Sequence, residues 1–373
     1  MANNQAKKVL IFSTAYLPLV GGAEIAVKEI TKRLPDWQFD LITAKIKPGL
    51  SKFEKIGNIN VYRIGFGLGF FDKYYLAFFG NRFAQKLHKE KNYNLIWAMM
   101  ASYNGFAALF FKKKNKKIPF LLTLQEGDKL KYILKRARPL KKQFVNIFKQ
   151  ADYIQAISCY LANWAKNMKA KCPIEVVPNG VDIANFSAKF PNKRDKNLIM
   201  AGCSRLEKKN AVDAVIKSLQ YLPKVKLLVM GDGKDRIKLE KLATKIKVKD
   251  RVTFFGEYNN DQLPKHLSFV SAFVRPSLSE GQGIAFLEAM AAGVPIIGTP
   301  VGGIVDLLKD RETGLFCKVN DPQDIAKKIK EILNNNNLRD CLISNSRELI
   351  KREYDWDKIS QQMENIYLKL INE

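Results

Sequence analysis

The sequence predicts two α/β domains in tandem, each a doubly wound parallel sheet flanked by helices. Three observations lead there. Short apolar runs alternate with helical patterns along nearly the whole chain. At 373 residues the chain is about twice the length of a comfortable single domain. A turn-rich stretch, Pro178-Asn179-Gly180-Val181-Asp182, splits it near the middle and is followed by the polar run 189–196.

In the first half the strand candidates are residues 9–13, 39–43, 95–99, 120–124, 153–156 and 174–177, with helical patterns at 23–34 and 74–91. These runs are mostly apolar rather than strictly alternating. Strands of a parallel sheet covered by helices on both faces look like this. The second half repeats the scheme with strands at 197–203, 225–230, 252–255, 272–275 and 295–298. Its helices fall near 210–219, 234–246 and 283–292, and a last one spans about 356–371. The expected division is 1–183 for the first domain and 184–354 for the second, with 355–373 a terminal helix that packs back on the first.

Composition narrows the function. Lys and Arg number 63 against 36 Asp and Glu, a net charge of +27. Residues 1–185 hold 31 basic and 12 acidic side chains, and residues 186–373 hold 32 and 24, so the excess lies in the first half. Such a field suits a polyanion: nucleic acid, an anionic lipid surface or a phosphorylated substrate. A lysine-rich solvated surface is the plainer explanation. No run of apolar residues is long enough to cross a bilayer, and the start MANNQAKKVLIFSTAY lacks a secretory h-region. Five scattered cysteines, never in CxxC spacing, and two histidines disfavour a disulfide framework or a metal centre. A cytoplasmic protein is expected.

Chemistry concentrates in glycine-bearing loops. The longest reads Ser279-Glu280-Gly281-Gln282-Gly283-Ile284-Ala285-Phe286-Leu287-Glu288. Gly281 and Gly283 precede an apolar helix, so N–H groups at its start, on Gly283 and Ile284, can meet an anion closely. Glu280 stands at the mouth of the loop. Glu288 sits further along the helix among apolar and small neighbours. A buried carboxylate there needs a partner, either a lysine or a diol such as ribose, which offers two charge-assisted hydrogen bonds.

Ser204-Arg205-Leu206-Glu207-Lys208-Lys209-Asn210 follows a predicted strand, at the end where doubly wound sheets face their ligand crevice. Arg205 as a fork and Lys209 as a point charge suit a diphosphate, with Lys208 in solvent. The alternative is a basic loop that is merely exposed. Gly21-Gly22-Ala23-Glu24 likewise offers backbone N–H groups at a helix start. It is not GxGxxG, and Asp40 precedes the core of its strand rather than ending it, so a nicotinamide dehydrogenase is disfavoured. Gly231-Asp232-Gly233 closes another strand as a turn, with Gly231 a candidate to line the crevice.

Each signal alone is weak, but their order is specific. The glycine loop, PNGVD, SRLxxKN, GDG and SEGQGIAFLEAMAAGVPIIGTPVGG succeed one another over nearly the whole chain, ending on Thr313-Gly314-Leu315 and Asp355-Trp356. This order resembles the family 4 glycosyltransferases of GT-B fold, whose two Rossmann-like domains face each other across a cleft. The resemblance implies transfer of a sugar from a nucleotide-diphosphate sugar with retention of configuration and no bound metal or other cofactor. By the family's motif, Arg205 and Lys209 would neutralise the diphosphate. Glu280 would hold donor-sugar hydroxyls and Glu288 the ribose. Backbone at Gly21, Gly22, Gly281, Gly283, Ile284 and Gly231 would line the donor.

One departure stands out. Many members carry a histidine beside the reacting sugar; here the stretch reads Thr123-Leu124-Gln125-Glu126-Gly127-Asp128, with Gln125 in its place. An amide cannot titrate but can orient a hydroxyl. Glu126 and Asp128 are either paired with Lys129 or Lys131, or positioned toward the acceptor. The acceptor implied by the resemblance is a glycan or lipid-linked molecule of surface-glycan or glycolipid assembly. The stretch 64–79, IGFGLGFFDKYYLAFF, is dense in aromatics, most of them expected in the core. Together with Lys112, Lys113 and Lys114 it also motivates reversible contact with an anionic membrane at its inner face. Nucleic-acid binding has only the charge in its favour. An epimerase or phosphorylase lacks its expected residues or length, and a donor-binding chain without turnover remains the alternative raised by Gln125.

Overall fold

A computed structural model describes residues 7–187, 194–202, 205–258 and 260–372. Ser204 and most of the polar run 189–196 lie outside the described residues. The chain forms two compact units, Met1–Asn179 with Trp356–Glu373, and Gly180–Asp355. The division falls at Asn179/Gly180 rather than at 183/184. Val181 already belongs to the second unit, where its N–H donates to the Tyr354 carbonyl at 2.8 Å and it bridges Asp355.

The first unit runs β1 (Lys7–Phe12), α1 (Gly22–Lys32), β2 (Trp37–Ala44), β3 (Phe53–Ile56), β4 (Ile59–Ile64), α2 (Phe70–Lys91), β5 (Leu95–Met99), α3 (Tyr103–Lys114) and β6 (Phe120–Leu124). It continues with α4 (Leu130–Arg136), α5 (Lys141–Lys149), β7 (Tyr153–Ala156), α6 (Cys159–Asn167) and β8 (Ile174–Val176). The eight strands order as β3-β4-β2-β1-β5-β6-β7-β8, all parallel except β3, which turns back on β4. That hairpin escapes the sequence reading because β3 is short, polar and nowhere buried, alternating only between exposed and half-buried.

The second unit holds α7 (Ile183–Ser187), β9 (Asp195–Gly202), α8 (Val212–Ser218), β10 (Lys226–Met230), α9 (Arg236–Lys245), β11 (Val252–Gly256), α10 (Leu263–Leu267) and β12 (Val270–Arg275). It then runs α11 (Ile284–Ala291), β13 (Ile296–Gly298), α12 (Ile304–Leu307), β14 (Leu315–Phe316), α13 (Pro322–Asn334) and α14 (Asn336–Glu353). Its six strands order as β11-β10-β9-β12-β13-β14, and every pairing is parallel.

Each sheet carries apolar side chains on both faces, which is why its strands read as predominantly apolar runs. The last helix, α15 (Trp356–Asn372), belongs to the first unit. Its apolar face, with Trp356, Met363 and Tyr367, packs against Trp37 and Trp97. Arg33 Nε donates to Asp357 Oδ1 at 2.5 Å and Trp37 Nε1 to Glu364 Oε1 at 2.9 Å, which fixes its register on α1 and β2.

Candidate functional site

In the second unit β9 lies between β10 and β12, so the strand order reverses there. Loops leaving the carboxyl ends of two such strands diverge and open a crevice. Both loops carry candidate residues, and a buried guanidinium joins them. Arg275, at the end of β12, donates from Nη2 to Glu280 Oε2 at 2.7 Å and to Asn210 Oδ1 at 3.2 Å, and from Nε to Ser277 Oγ at 3.3 Å. Asn210 in turn donates from Nδ2 to the Arg205 carbonyl at 2.6 Å, and the Leu278 N–H donates to the Lys209 carbonyl at 2.7 Å. Arg275 therefore fixes the loop of Arg205 and Lys209 against the loop of Glu280. The sequence reading missed it; the signal was a lone arginine closing an otherwise apolar strand.

Glu280 consequently does not stand free at the loop's mouth. Its carboxylate is 12% exposed and ion-paired through Oε2, which leaves Oε1 without a protein partner among the described residues. Its main chain is clamped as well. Gly302 adopts φ +57°, and a Cβ there would stand 1.9 Å from the Glu280 carbonyl oxygen. The Gly303 N–H donates to that oxygen at 3.1 Å. The guanidinium of Arg205 is exposed and has no acidic partner among the described residues, Lys209 is half-buried, and Lys208 is exposed.

Glu288 lies on α11, buried to 8% exposure, with no hydrogen-bonding protein partner among the described residues. Burial pushes its carboxyl up to about 7, and the positive charge of Arg275 opposes that rise. Among the described residues no lysine pairs with it. The helix begins after Gly283, which sits at φ +97° and offers no capping side chain; the Phe286 N–H donates to the Gly283 carbonyl at 2.9 Å, and the Ile284 and Ala285 N–H groups at the helix start are left for another acceptor. Gly281 is buried beside it. Gly231 departs from expectation: its N–H donates to the Gly256 carbonyl at 2.9 Å and is not open to a ligand. The GDG turn instead shapes the Arg205 loop, since the Leu206 N–H donates to the Asp232 carbonyl at 2.8 Å and a Cβ on Gly233 would stand 2.6 Å from the Leu206 nitrogen.

In the first unit the order reverses at β1, between β2 and β5. Thr14, after β1, shares a hydrogen bond with Ser102 Oγ at 3.0 Å and donates to Asn104 Oδ1 at 2.8 Å. Asn104 Nδ2 donates to the carbonyls of Phe12 and Met99, both at 2.8 Å, so the loops after β1 and β5 are held together. Gly21 caps α1 without a side chain and Gly22 opens it. A Cβ on Gly21 would meet Glu24 Oε2 at 2.7 Å.

Gln125, after β6, is engaged in a reciprocal amide pair: its Nε2 donates to Asn179 Oδ1 at 3.0 Å, and Asn179 Nδ2 donates back to Gln125 Oε1 at 3.3 Å. Glu126 pairs with neither Lys129 nor Lys131. It is buried, with Oε1 accepting the Ala101 N–H at 2.7 Å and Oε2 lacking a hydrogen-bond partner among the described residues. Burial lifts its carboxyl to about 7, backbone N–H groups pull it down, and the charge of Asp128 adds to the rise. Asp128 is half-buried, and its charge acts on Glu126 and Arg136. The aromatic stretch also departs from expectation. Phe66, Phe70, Phe71, Tyr74, Phe78 and Phe79 are exposed, not core.

Among the described residues no group of three or more His, Cys, Asp or Glu side chains is arranged to hold a metal ion, and no helix is long and apolar enough to cross a membrane.

Known proteins share this pattern. The description Glycosyltransferase Family 4 matches residues 20–185, and Glycosyl transferases group 1 matches residues 184–349. An uncharacterized glycosyltransferase of Methanocaldococcus jannaschii is 28% identical over 97% of this chain and 98% of its own. Among solved structures, sucrose-phosphate synthase from Thermosynechococcus elongatus superposes with a TM-score of 0.86 at 20% identity, covering 98% of this chain and 99% of that one. Anabaena HepE in complex with UDP and glucose does so with a TM-score of 0.80 at 18% identity, covering 97% and 100%.

Proposed function

The chain belongs to the group 1, family 4 glycosyltransferases of GT-B fold, and from that premise we propose that it moves a hexose-type sugar from a nucleotide-diphosphate sugar to a glycan or lipid-linked acceptor, with retention at the anomeric carbon and without a metal. The observation that carries the donor reading is Glu288, a buried carboxylate with no hydrogen-bonding partner among the described residues, on a helix whose N-terminus has no side-chain cap. A ribose diol donating two hydrogen bonds would satisfy it, and the diphosphate would then reach the N–H groups of Gly283 and Ile284.

Arg205 and Lys209 supply the remaining positive charge. As the bond from the anomeric carbon to the diphosphate oxygen lengthens, negative charge builds on that oxygen, and these groups stabilise it. The acceptor hydroxyl attacks from the same face and its proton passes to the departing phosphate oxygen. No protein nucleophile is needed. Oε1 of Glu280 holds donor-sugar hydroxyls, while the ion pair to Arg275 keeps that carboxylate aimed. The family resemblance assigns backbone at Gly21 and Gly22 to the donor and Gln125, Glu126 and Asp128 to the acceptor. We place the reaction in the cytoplasm, at the inner face of a membrane, in surface-glycan or glycolipid assembly.

A second reading, a donor-binding chain without turnover, has one observation in its favour: the Gln125 amide is already committed to Asn179. A thermal-shift screen against UDP, GDP, ADP and their sugar conjugates in EDTA tests the donor site, because a ligand at 100 times its dissociation constant adds about 2.7 kcal/mol. A shift with one base that is lost in Arg205→Ala supports the site. Absence of any shift overturns it. Slow release of free sugar from the conjugate then separates a turning-over enzyme from a binding protein.

A further inference from the structure

The turn between β4 and α2 is built to hold apolar side chains in water. Gly65, Gly67 and Gly69 all have positive φ, at +115°, +89° and +66°. A Cβ on Gly65 would meet Asp72 Oδ1, and one on Gly67 would stand 2.7 Å from the Pro48 backbone, so both positions demand glycine. Asp72 is buried. Its Oδ1 accepts the Phe66 N–H at 2.5 Å and its Oδ2 accepts the Leu68 N–H. A buried carboxylate thus fixes the main chain of the two residues whose side chains point outward, Phe66 at 69% exposure and Leu68 at 64%.

The helix that follows continues the surface. Phe71 is 74% exposed, and Phe66, Phe71, Tyr74, Tyr75, Phe78 and Phe79 line one open groove. The rings face out because the opposite face of α2 has no room for them: a Cβ on Gly80 would stand 2.9 Å from Ala107 Cβ, so α2 and α3 meet through small and aliphatic residues. A rigid apolar patch of this size in water marks an interaction site.

Charge identifies what it meets. Tyr103 packs edge-on against Phe70 and Tyr74, and Arg136 of α4 lies over the Tyr103 ring. Helix α4 has no buried residue, and Lys131 and Lys135 on it are exposed. Between Lys112 and Lys149 there are 13 basic side chains and 2 acidic ones, of which Glu126 is buried. Rings that insert at an interface, bordered by cations and few anions, match an anionic bilayer rather than a neutral protein surface.

We infer that the β4–α2 turn and the first half of α2, held rigid by Asp72 and flanked by α4, dock this protein on anionic lipid bilayers by inserting Phe66, Leu68 and Phe71. This deepens the reading of a membrane-facing transferase and rests on it. The full chain is sedimented with vesicles of phosphatidylcholine alone and with vesicles containing about one third phosphatidylglycerol. Partition should rise at least about tenfold with the anionic lipid. Phe66→Ser with Phe71→Ser should lose about tenfold or more on the anionic vesicles. Lys131→Ser with Lys135→Ser should erase most of the difference between the two lipids.

Melting temperature and nucleotide binding by calorimetry are followed in the same variants and should not move. A native chain that ignores anionic vesicles, or a double phenylalanine variant that binds them as the native chain does, overturns the inference. So does light scattering that finds a native dimer turned monomeric by the phenylalanine changes, since the patch would then cover a second copy. Nucleotide binding absent in the native chain would instead overturn the transferase reading and leave the vesicle result standing.

Discussion

The Arg275 guanidinium meets the Glu280 carboxylate at 2.7 Å, with the two side chains 8% and 12% exposed. The same nitrogen reaches Asn210, so one buried cation holds the strand end, the basic loop and the glycine-rich loop together. Removing one partner of a buried ion pair leaves the other charge uncompensated, at a cost of about 3 kcal/mol or more. Arg275→Ala should therefore destabilise the chain by about that much and abolish transfer. Glu280→Ala should lower transfer at least as far; an exposed rim role for Glu280 would leave both rate and melting temperature near native. Arg275→Lys, which keeps the charge but not the three-way geometry, should recover stability better than rate.

With Glu288 on the donor ribose, as proposed, donor affinity should depend on pH. Its carboxyl is pushed up to about 7 by burial, and only the ionised form accepts both hydroxyls of a diol. Above pH 7 the site is ready; below it, each pH unit costs up to about tenfold in affinity, because binding must first expel the proton. Glu288→Gln should bind the nucleoside diphosphate more weakly at pH 8 and lose this slope. Phosphate titration is common to both proteins and cancels in their ratio. Calorimetry between pH 5.5 and 8.5 measures it, and parallel native and variant curves would remove Glu288 from the ribose.

Gly302→Ala tests the backbone side of the same loop. At φ +57° an added Cβ would stand 1.9 Å from the Glu280 carbonyl oxygen, so the two loops must separate. A strained backbone position costs on the order of 1–3 kcal/mol. We expect a lower melting temperature and a loss of donor binding well beyond that of Gly49→Ala, where a Cβ meets nothing within 4 Å.

The fold was largely legible because buried parallel strands leave a strong mark: Leu95–Met99, Phe120–Leu124 and Tyr153–Ala156 are buried at every position, mostly apolar, and were located to the residue. The β3–β4 hairpin was not, since Phe53–Ile56 buries nothing and pairs at the sheet's edge. At the candidate site, motif order singled out Arg205, Lys209, Glu280 and Glu288, whereas Arg275, which ties their loops together, and the Gln125 partner Asn179 were not legible. Both act through contacts to residues distant in sequence, and spacing carries no trace of those. The aromatic stretch misled for a different reason. Hydrophobicity tells how costly Phe71 is in water, but only the close approach of Gly80 to Ala107 decides that the rings must face outward.

Glu126 gives the last prediction, in stability rather than catalysis. Its carboxyl is lifted from the ordinary range near 4.5 to about 7 because it is buried with Oε2 unpartnered. The fold thus favours the protonated form, so the stabilising proton is fully bound in both states below about 4.5 and the fold's advantage falls as pH rises from there to 7. A shift of that size corresponds to stability on the order of 3 kcal/mol lost across the window. In Glu126→Gln the Ala101 N–H keeps its acceptor and the titration disappears. The variant should gain on the native chain progressively between pH 5 and 7 and hold a constant margin above it. Glu288 titrates in both proteins and drops out of the difference. Urea unfolding across that range reads the margin, and one that does not change with pH would mean Glu126 stays ionised in the fold, with Oε2 hydrated.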